Sequence, residues 1–408
     1  MRTKPSLRNL WIPCWLAVAM GQAFAEPSPG NLHWVGTWST AQQRVEPANL
    51  PPSPGLAGNT LRQIVHVTSG GTCIRIRISN EFGTSQVTLK QIHCAASAGG
   101  ASIDAKTDKA LTFRGKASVT LGAGEIAVSD PVDFALIPLS NLALTIHFGT
   151  ISEAVTGHPG SRTTSFIENG NAVSAPDMPT ATKTDHWYFA AGIDVLATRE
   201  SRAIVALGDS ITDGRGSTTN GNDRWPDVLA HRLQQGGMKH PVSVLNLGIG
   251  GNAVLSGGLG PTAQTRFERD VFDQSGAQWL ILLEGVNDIG ASRDPGIGDR
   301  LIAAYQQFVQ AAHKRQIKVY GVPILPFKAS GYDSAEHEAA RQQINAWIRV
   351  PGHFDAVIDL DAAVRDPLDP ARLLPAYDCG DHLHLSPAGY QKMGQAIDLA
   401  LFKASHLP

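Results

Sequence analysis

The sequence predicts two architectures in succession: an all-β sandwich or jelly roll, then an α/β region built on a three-layer parallel sheet. Two observations carry this. From about residue 31 to 197 the apolar residues fall in short alternating or β-branched runs, split by Gly, Pro, Ser and Asn. That is the rhythm of antiparallel strands and turns. After about residue 200 compact apolar runs alternate with helical stretches. Continuously apolar strands are buried on both faces, and the helices between them cover those faces. The chain accordingly divides into a leader at 1–25, a β domain at 26–198 and an α/β domain at 199–408.

Each element follows from its own pattern. In the first half "LRQIVHVTS", "TCIRIRIS", "SQVTLKQI", "ASVTL", "NLALTIHF" and "HWYFAAGIDVL" read as strands. Trp34 and Trp38 lie among them. Large aromatics mostly supply buried area, so core is their expected role and a sugar platform the alternative. In the second half the strands are "AIVALGDS", "VSVLNLG", "QWLILLEG", "KVYGVPIL" and "DAVIDL". Helices are expected over Trp225 to Gln235, Thr262 to Gln274, Arg300 to Arg315, Ala335 to Arg349 and Pro387 to Phe402. Ser386 caps the last of these and Pro387 takes its first position.

The first residues read as a secretory signal. Arg2, Lys4 and Arg8 form a positive start, and Leu10 to Met20 is an apolar stretch too short to span a bilayer. Ala23-Phe24-Ala25 is a small-x-small cleavage pattern that would leave Glu26 as the first mature residue. Pro13 precedes Cys14 early in the segment, which argues against a lipoprotein site. The expected destination is secreted or periplasmic, with no stable membrane insertion. Apolar residues make up 42% of the chain, as in a globular protein, and the net charge of −2 gives no basic excess for nucleic acid.

Export places the remaining cysteines in an oxidising compartment. Cys73 and Cys94 flank two alternating runs with the turn signal "NEFGTS" between them. Folded as a hairpin, that segment sets them nearly opposite each other. A cross-strand disulfide fits this arrangement, and two free thiols fit it as well. Cys379 is then left over.

In a parallel sheet, ligands gather at the carboxyl ends of the strands. Four such places carry reactive residues: Gly208-Asp209-Ser210, "NLGIGGN" at 246–252, "EGVND" at 284–288, and Asp381-His382-Leu383-His384. Each alone is a weak signal. Together, in this order, they resemble the four blocks of the SGNH (GDSL) hydrolases over roughly residues 203 to 402. The resemblance implies a flavodoxin-like catalytic domain. It implies Ser210 as nucleophile, His384 as base and Asp381 as the residue that orients the base. Ser210 and Gly251 (backbone N–H) and Asn287 (side chain) would form the oxyanion hole.

The residue types suit acyl transfer in their own right. A serine hydroxyl needs a neighbouring base, and the base needs its second nitrogen held by a carboxylate. Fixed donors stabilise the tetrahedral oxyanion by on the order of 3 kcal/mol each. Glycine admits close backbone approach, and an asparagine amide offers two uncharged donors. Within "DCGDHLHLSP", a spacing of three on a turn brings Asp381 and His384 to one side. Asp378 and His382 are then loop residues, one solvated and one packed or at the rim, and Cys379 packs. Asp209, Asp213, Trp225 and Asp288 are candidates to support the site, as are Arg215 and Arg224. No metal or organic cofactor is called for.

Competing motifs are incomplete. There is no G-x-S-x-G elbow. Gly248-x-Gly250-x-x-Ala253 is a partial dinucleotide fingerprint, but it follows the second strand and opens no clear helix. "HEAAR" has Arg341 where a zinc protease would have its second histidine, and reads as a solvated helix face. The expected function is a secreted serine esterase acting on short acyl esters, acetyl groups on carbohydrate included, with a small-molecule or polysaccharide substrate. Lipase, lysophospholipase and thioesterase are the alternatives within the resemblance. A non-catalytic carbohydrate-binding protein is the alternative outside it. No apolar groove for a long acyl chain stands out, and activity should rise through about pH 6–7, near the free imidazole value.

Overall fold

The computed structural model describes residues 32–237 and 240–403. The leader expected at residues 1–25 lies outside them. Among the described residues no helix is long and apolar enough to cross a membrane.

The second half is a five-stranded parallel sheet. Its strands are β1 (Arg202–Gly208), β2 (Val242–Gly248), β3 (Ala277–Leu283), β4 (Lys318–Gly321) and β5 (Ala356–Val357), in the order β2-β1-β3-β4-β5. The central strands are apolar throughout because helices pack on both faces: Ile204 to Leu207 and Leu280 to Leu283 are all buried. The helices are α1 (Ser210–Asp213), α2 (Trp225–Gln235), α3 (Ala263–Phe267), α4 (Val286–Ala291), α5 (Ile297–Lys314), α6 (Ala335–Ile348), α7 (Leu360–Val364) and α8 (Pro387–Ala396).

Two expected helices change partway. The one expected over 262–274 is α3 followed by a wider π turn at Glu268–Phe272. Across that turn Asp270 meets both Arg266 and Arg269. The closing helix stops at Ala396 rather than running to Phe402. Ile397 turns extended into the core, and Asp398 caps a new 3-10 turn at Leu399–Phe402 by accepting from Ala400 N. Short polar side chains favour such caps over helix interiors. Ser386 and Pro387 do open α8, with Ser386 Oγ accepting from Gly389 N.

The first half has three antiparallel sheets, two large ones and a small one of Gln43–Arg44, Thr156–His158 and Trp187–Tyr188. One large sheet orders Leu32–Ser39, Ala190–Thr198, Gly71–Ser79 and Val132–Leu136, with Ile126–Val128 on the third. The other large sheet is built around Thr60–His66, Asn141–Phe148 and Val87–Gly99. Both contribute to one apolar cluster, Ile74, Ile76 and Ile78 from the first and Leu142, Leu144 and Ile146 from the second. Alternation in "CIRIRIS" sends its isoleucines into that cluster and Arg75 and Arg77 to the opposite face. That face is covered by the α/β half. Arg75 bonds Asp194 and Ser275, and Arg77 bonds Gln274.

The contact between the halves is close. Gly36 N donates to Ser275 O at 2.8 Å, and a Cβ at Gly36 would sit 2.9 Å from Leu245 Cδ1. Thr68 Oγ1 accepts from Val244 N, which covers the exposed edge of β2. Trp38 is buried edge-on to Trp187 at 5.0 Å, and Arg75 lies over the Trp34 ring at 4.6 Å, so neither is an open platform.

The hairpin expected between Cys73 and Cys94 does not form. Cys73 lies on Gly71–Ser79 and Cys94 on Val87–Gly99, which belong to different sheets. Cys94 points into the core, whereas Cys73 is out of phase with the inward isoleucines. Both are free thiols, as is Cys379. Burial pushes the Cys94 thiol up to about 12.

Candidate active site

Strand β1 ends at Gly208, where a side chain would strike Thr212 and Leu283 O. Asp209 then caps α1, its Oδ1 accepting from Ile211 N at 2.9 Å. This places Ser210 at the first position of a single helical turn that Gly214 closes with φ of 101°. Ser210 is 6% exposed, and its Oγ lies 2.7 Å from His384 Nε2. On the other side of the imidazole, Nδ1 lies 2.7 Å from Asp381 Oδ2. Asp381 Oδ1 also accepts from the backbone N–H groups of Leu383 and His384. With Nδ1–H donated to the carboxylate, Nε2 turns its lone pair to the hydroxyl.

The electrostatics are consistent with that arrangement. Burial lowers the His384 pKa below its ordinary value. Asp381 opposes the shift, and Arg215 and Arg162 add to it. For Asp381, partial burial would raise the pKa, but the hydrogen bonds from His384 and Leu383 outweigh it and hold the carboxyl well below the usual range. Asp381 therefore stays ionised at neutral pH.

The neighbouring pair forms a second couple in the same loop. His382 Nδ1 meets Asp378 Oδ2 at 2.6 Å, and Asp378 Oδ1 accepts from Gly380 N and His382 N. His382 sits at φ of 62° with its side chain partly exposed. Asp378 thus ties the loop together and is not free in solvent. Cys379 is exposed and lies against Gly216. Asp378, Cys379 and Asp381 also place ligating atoms within 4.8 Å of one another. Both carboxylates are already engaged by a histidine and by backbone N–H groups.

Gly251, at φ of 70°, lies on the loop after β2. Among the described residues no protein acceptor takes its N–H or that of Ser210. Asn287 lies at the start of α4, its Nδ2 donating to Asn252 O at 2.7 Å and its Oδ1 accepting from Tyr332 OH at 2.9 Å. Asp288 accepts from Val254 N and Leu255 N, which clamps the glycine-rich loop to α4. Tyr332 was not expected here. It comes from a turn before α6, and nothing in its local sequence marks it.

Arg266 is a second unexpected residue. Fully buried on α3, it donates to Gly208 O, Leu247 O, Asn252 Oδ1, Asp270 Oδ2 and Glu284 Oε1. One guanidinium thereby ties together the ends of β1, β2 and β3. Around it burial pushes Asp209 up to about 7, and burial with the Asp209 charge raises Glu284.

Asp213, at the end of α1, meets a residue of the first half: His158 Nε2 lies 2.9 Å from its Oδ1. Arg162 Nη2 stands 4.0 Å from Oδ2. Trp225 is fully buried beneath α8 and Arg224 pairs with Asp227, so both are structural. Arg215 is exposed, its Nε 3.9 Å from Asp381 Oδ2. The "HEAAR" helix is not a solvated face. Arg341 is buried between Glu338 and Asp361, and both His337 nitrogens face backbone carbonyls. No helix opens at the partial dinucleotide fingerprint, since α3 begins only at Ala263.

Residues 206–392 match the family described as GDSL-like Lipase/Acylhydrolase. No curated protein matches the chain significantly. Similar solved structures include an acetyl xylan esterase from Geobacillus stearothermophilus, at 23% identity over 48% of this chain and 92% of that one, TM-score 0.37. Another is a GDSL-like lipase from Bacteroides thetaiotaomicron, at 20% identity over 49% of this chain and 87% of that one, TM-score 0.35. Residues 206–392 are therefore a GDSL-like lipase/acylhydrolase domain, which makes the protein a carboxylic ester hydrolase.

Proposed function

We propose that the chain is a secreted serine esterase that cleaves short acyl esters through an acyl-enzyme on Ser210. The observation that carries this reading is the unbroken relay from Ser210 Oγ through His384 to Asp381, two contacts of 2.7 Å each. Ser210 Oγ attacks the ester carbonyl as its proton passes to His384 Nε2. The resulting oxyanion faces Ser210 N, Gly251 N and Asn287 Nδ2. One Nδ2 hydrogen is held by Asn252 O, which leaves the second for the substrate. His384 then gives its proton to the departing alkoxide. Water repeats the sequence, releasing the acid and restoring the hydroxyl. Asp381 stays ionised throughout and stabilises the imidazolium.

Secretion rests on the charge, apolar stretch and cleavage pattern of residues 1–25. Acetyl groups on carbohydrate are the narrowest form of the substrate reading. The test is p-nitrophenyl acetate turnover by the wild type and Ser210→Ala. A loss of a thousandfold or more in kcat is expected, and equal turnover by both would sink the esterase mechanism. Mass analysis of the exported protein checks the leader, with Glu26 expected as its first residue.

A further inference from the structure

A trough of about 860 Å³ lies where the two halves meet beside the oxyanion loop. Its apolar lining is Val45, Pro47, Leu50 and Phe82 from the first half and Leu259 and Pro261 from the second. Leu50 and Leu259 are 40% and 49% exposed. Exposed leucines lining one concave surface mark a place where apolar matter binds. Its wall is continuous with the oxyanion loop. Leu259 N donates to Gly251 O at 2.9 Å, and the Leu259 side chain lies 3.2 Å from where a Cβ on Gly251 would be. Asn252 Nδ2 holds Leu259 O and Pro261 O in place.

The chemistry of the reaction says which part of an ester belongs there. The alcohol takes its proton from His384, so it lies on the side of the loop that carries Asp381 and His384. The acyl chain stays on Ser210 and must extend elsewhere. None of the residues lining the trough comes from the His384 loop, and one of them, Leu259, packs against Gly251. Its walls are aliphatic, with Phe82 as the lone aromatic, and the charges of Arg44, Glu46 and Glu153 also border it.

We propose that this trough is the acyl-chain subsite, and that it receives a medium-length aliphatic acyl group along Leu259, Pro261 and Leu50. The proposal rests on the ester-hydrolase reading of Ser210 but departs from its acetyl form, favouring butyryl and hexanoyl groups over acetyl. It also makes the first half of the chain part of the substrate site. Sequence alone showed no such groove because its walls come from four separate segments.

The test is kcat/KM for p-nitrophenyl acetate, butyrate, hexanoate and octanoate on the full chain, as wild type, Leu50→Asp and Leu259→Ala. Each methylene moved from water onto the apolar wall should raise kcat/KM by up to about fourfold. A wild-type profile that climbs from acetate to hexanoate is therefore expected. The hexanoate-to-acetate ratio should fall about tenfold in Leu50→Asp, whose exposed position leaves the core intact, and should also fall in Leu259→Ala. An unchanged ratio in both variants overturns the proposal, as does a wild type that prefers acetate. A parallel series of acetates with longer alcohols checks the orientation. If the variants alter that series instead, the trough holds the leaving group and the proposal fails. Absence of turnover on every ester would instead overturn the ester-hydrolase reading itself.

Discussion

His158 Nε2 lies 2.9 Å from Asp213 Oδ1, and both side chains are almost wholly buried. Asp213 ends the helical turn that Ser210 begins. His158 is fixed in turn by Ala41 O, 2.9 Å from its Nδ1. The antiparallel half of the chain therefore holds the turn that presents Ser210.

Removing His158 leaves the Asp213 carboxylate buried without that partner, and breaking a buried pair costs on the order of 3 kcal/mol. His158→Ala should lower Tm by several degrees and reduce kcat on p-nitrophenyl acetate, while His158→Gln keeps a donor and recovers part of both. Differential scanning calorimetry alongside the assay checks this. An unchanged Tm in His158→Ala would show that the contact is dispensable.

The acid limb of kcat/KM should lie below pH 6.5, lower than the free imidazole value predicts. Burial lowers the His384 pKa, and only the neutral ring accepts the Ser210 proton. Activity is then complete above the lowered value and is lost as pH falls through it. Arg162 contributes to the lowering, so Arg162→Gln should move the limb upward. A wild-type limb at pH 7 or above would contradict the assignment.

Arg266→Leu should be among the most damaging substitutions outside the triad. It strips Glu284 of its charged partner and frees three strand ends at once. A loss of about 3–5 kcal/mol is expected, read as low soluble yield or a steep fall in the denaturant midpoint. Arg266→Lys should not rescue it, because an ammonium cannot present five donors in a planar fork.

His384→Ala should lower kcat by at least about a thousandfold, whereas His382→Ala should retain most of the activity and lose some loop stability. Circular dichroism beside the ester assay separates these effects. The reverse pattern would transfer the role of base to His382.

What was legible in the sequence had local causes. Strands β1 to β3 could be read because two buried faces force a continuous apolar run. Asp381 and His384 could be singled out because a three-residue spacing on a turn is a local fact. Tyr332, Arg266 and His158 could not, since each reaches the site from a distant segment and has ordinary neighbours. The hairpin expected between Cys73 and Cys94 failed for a related reason. Two alternating runs joined by a turn signal need not pair, and here the chain crosses from one sheet to the other between them. Arg341 was misread because a charged residue on a helix is usually solvated, whereas Glu338 and Asp361 draw this one inside.

Gly160 carries one further consequence. A methyl group at that position would collide with Asp213 Oδ2. A mutational scan restricted to residues 206–392 would never sample it. In the half of the chain that carries none of the catalytic motifs, a substitution as small as Gly160→Ala should disable the enzyme by displacing the turn on which its serine stands.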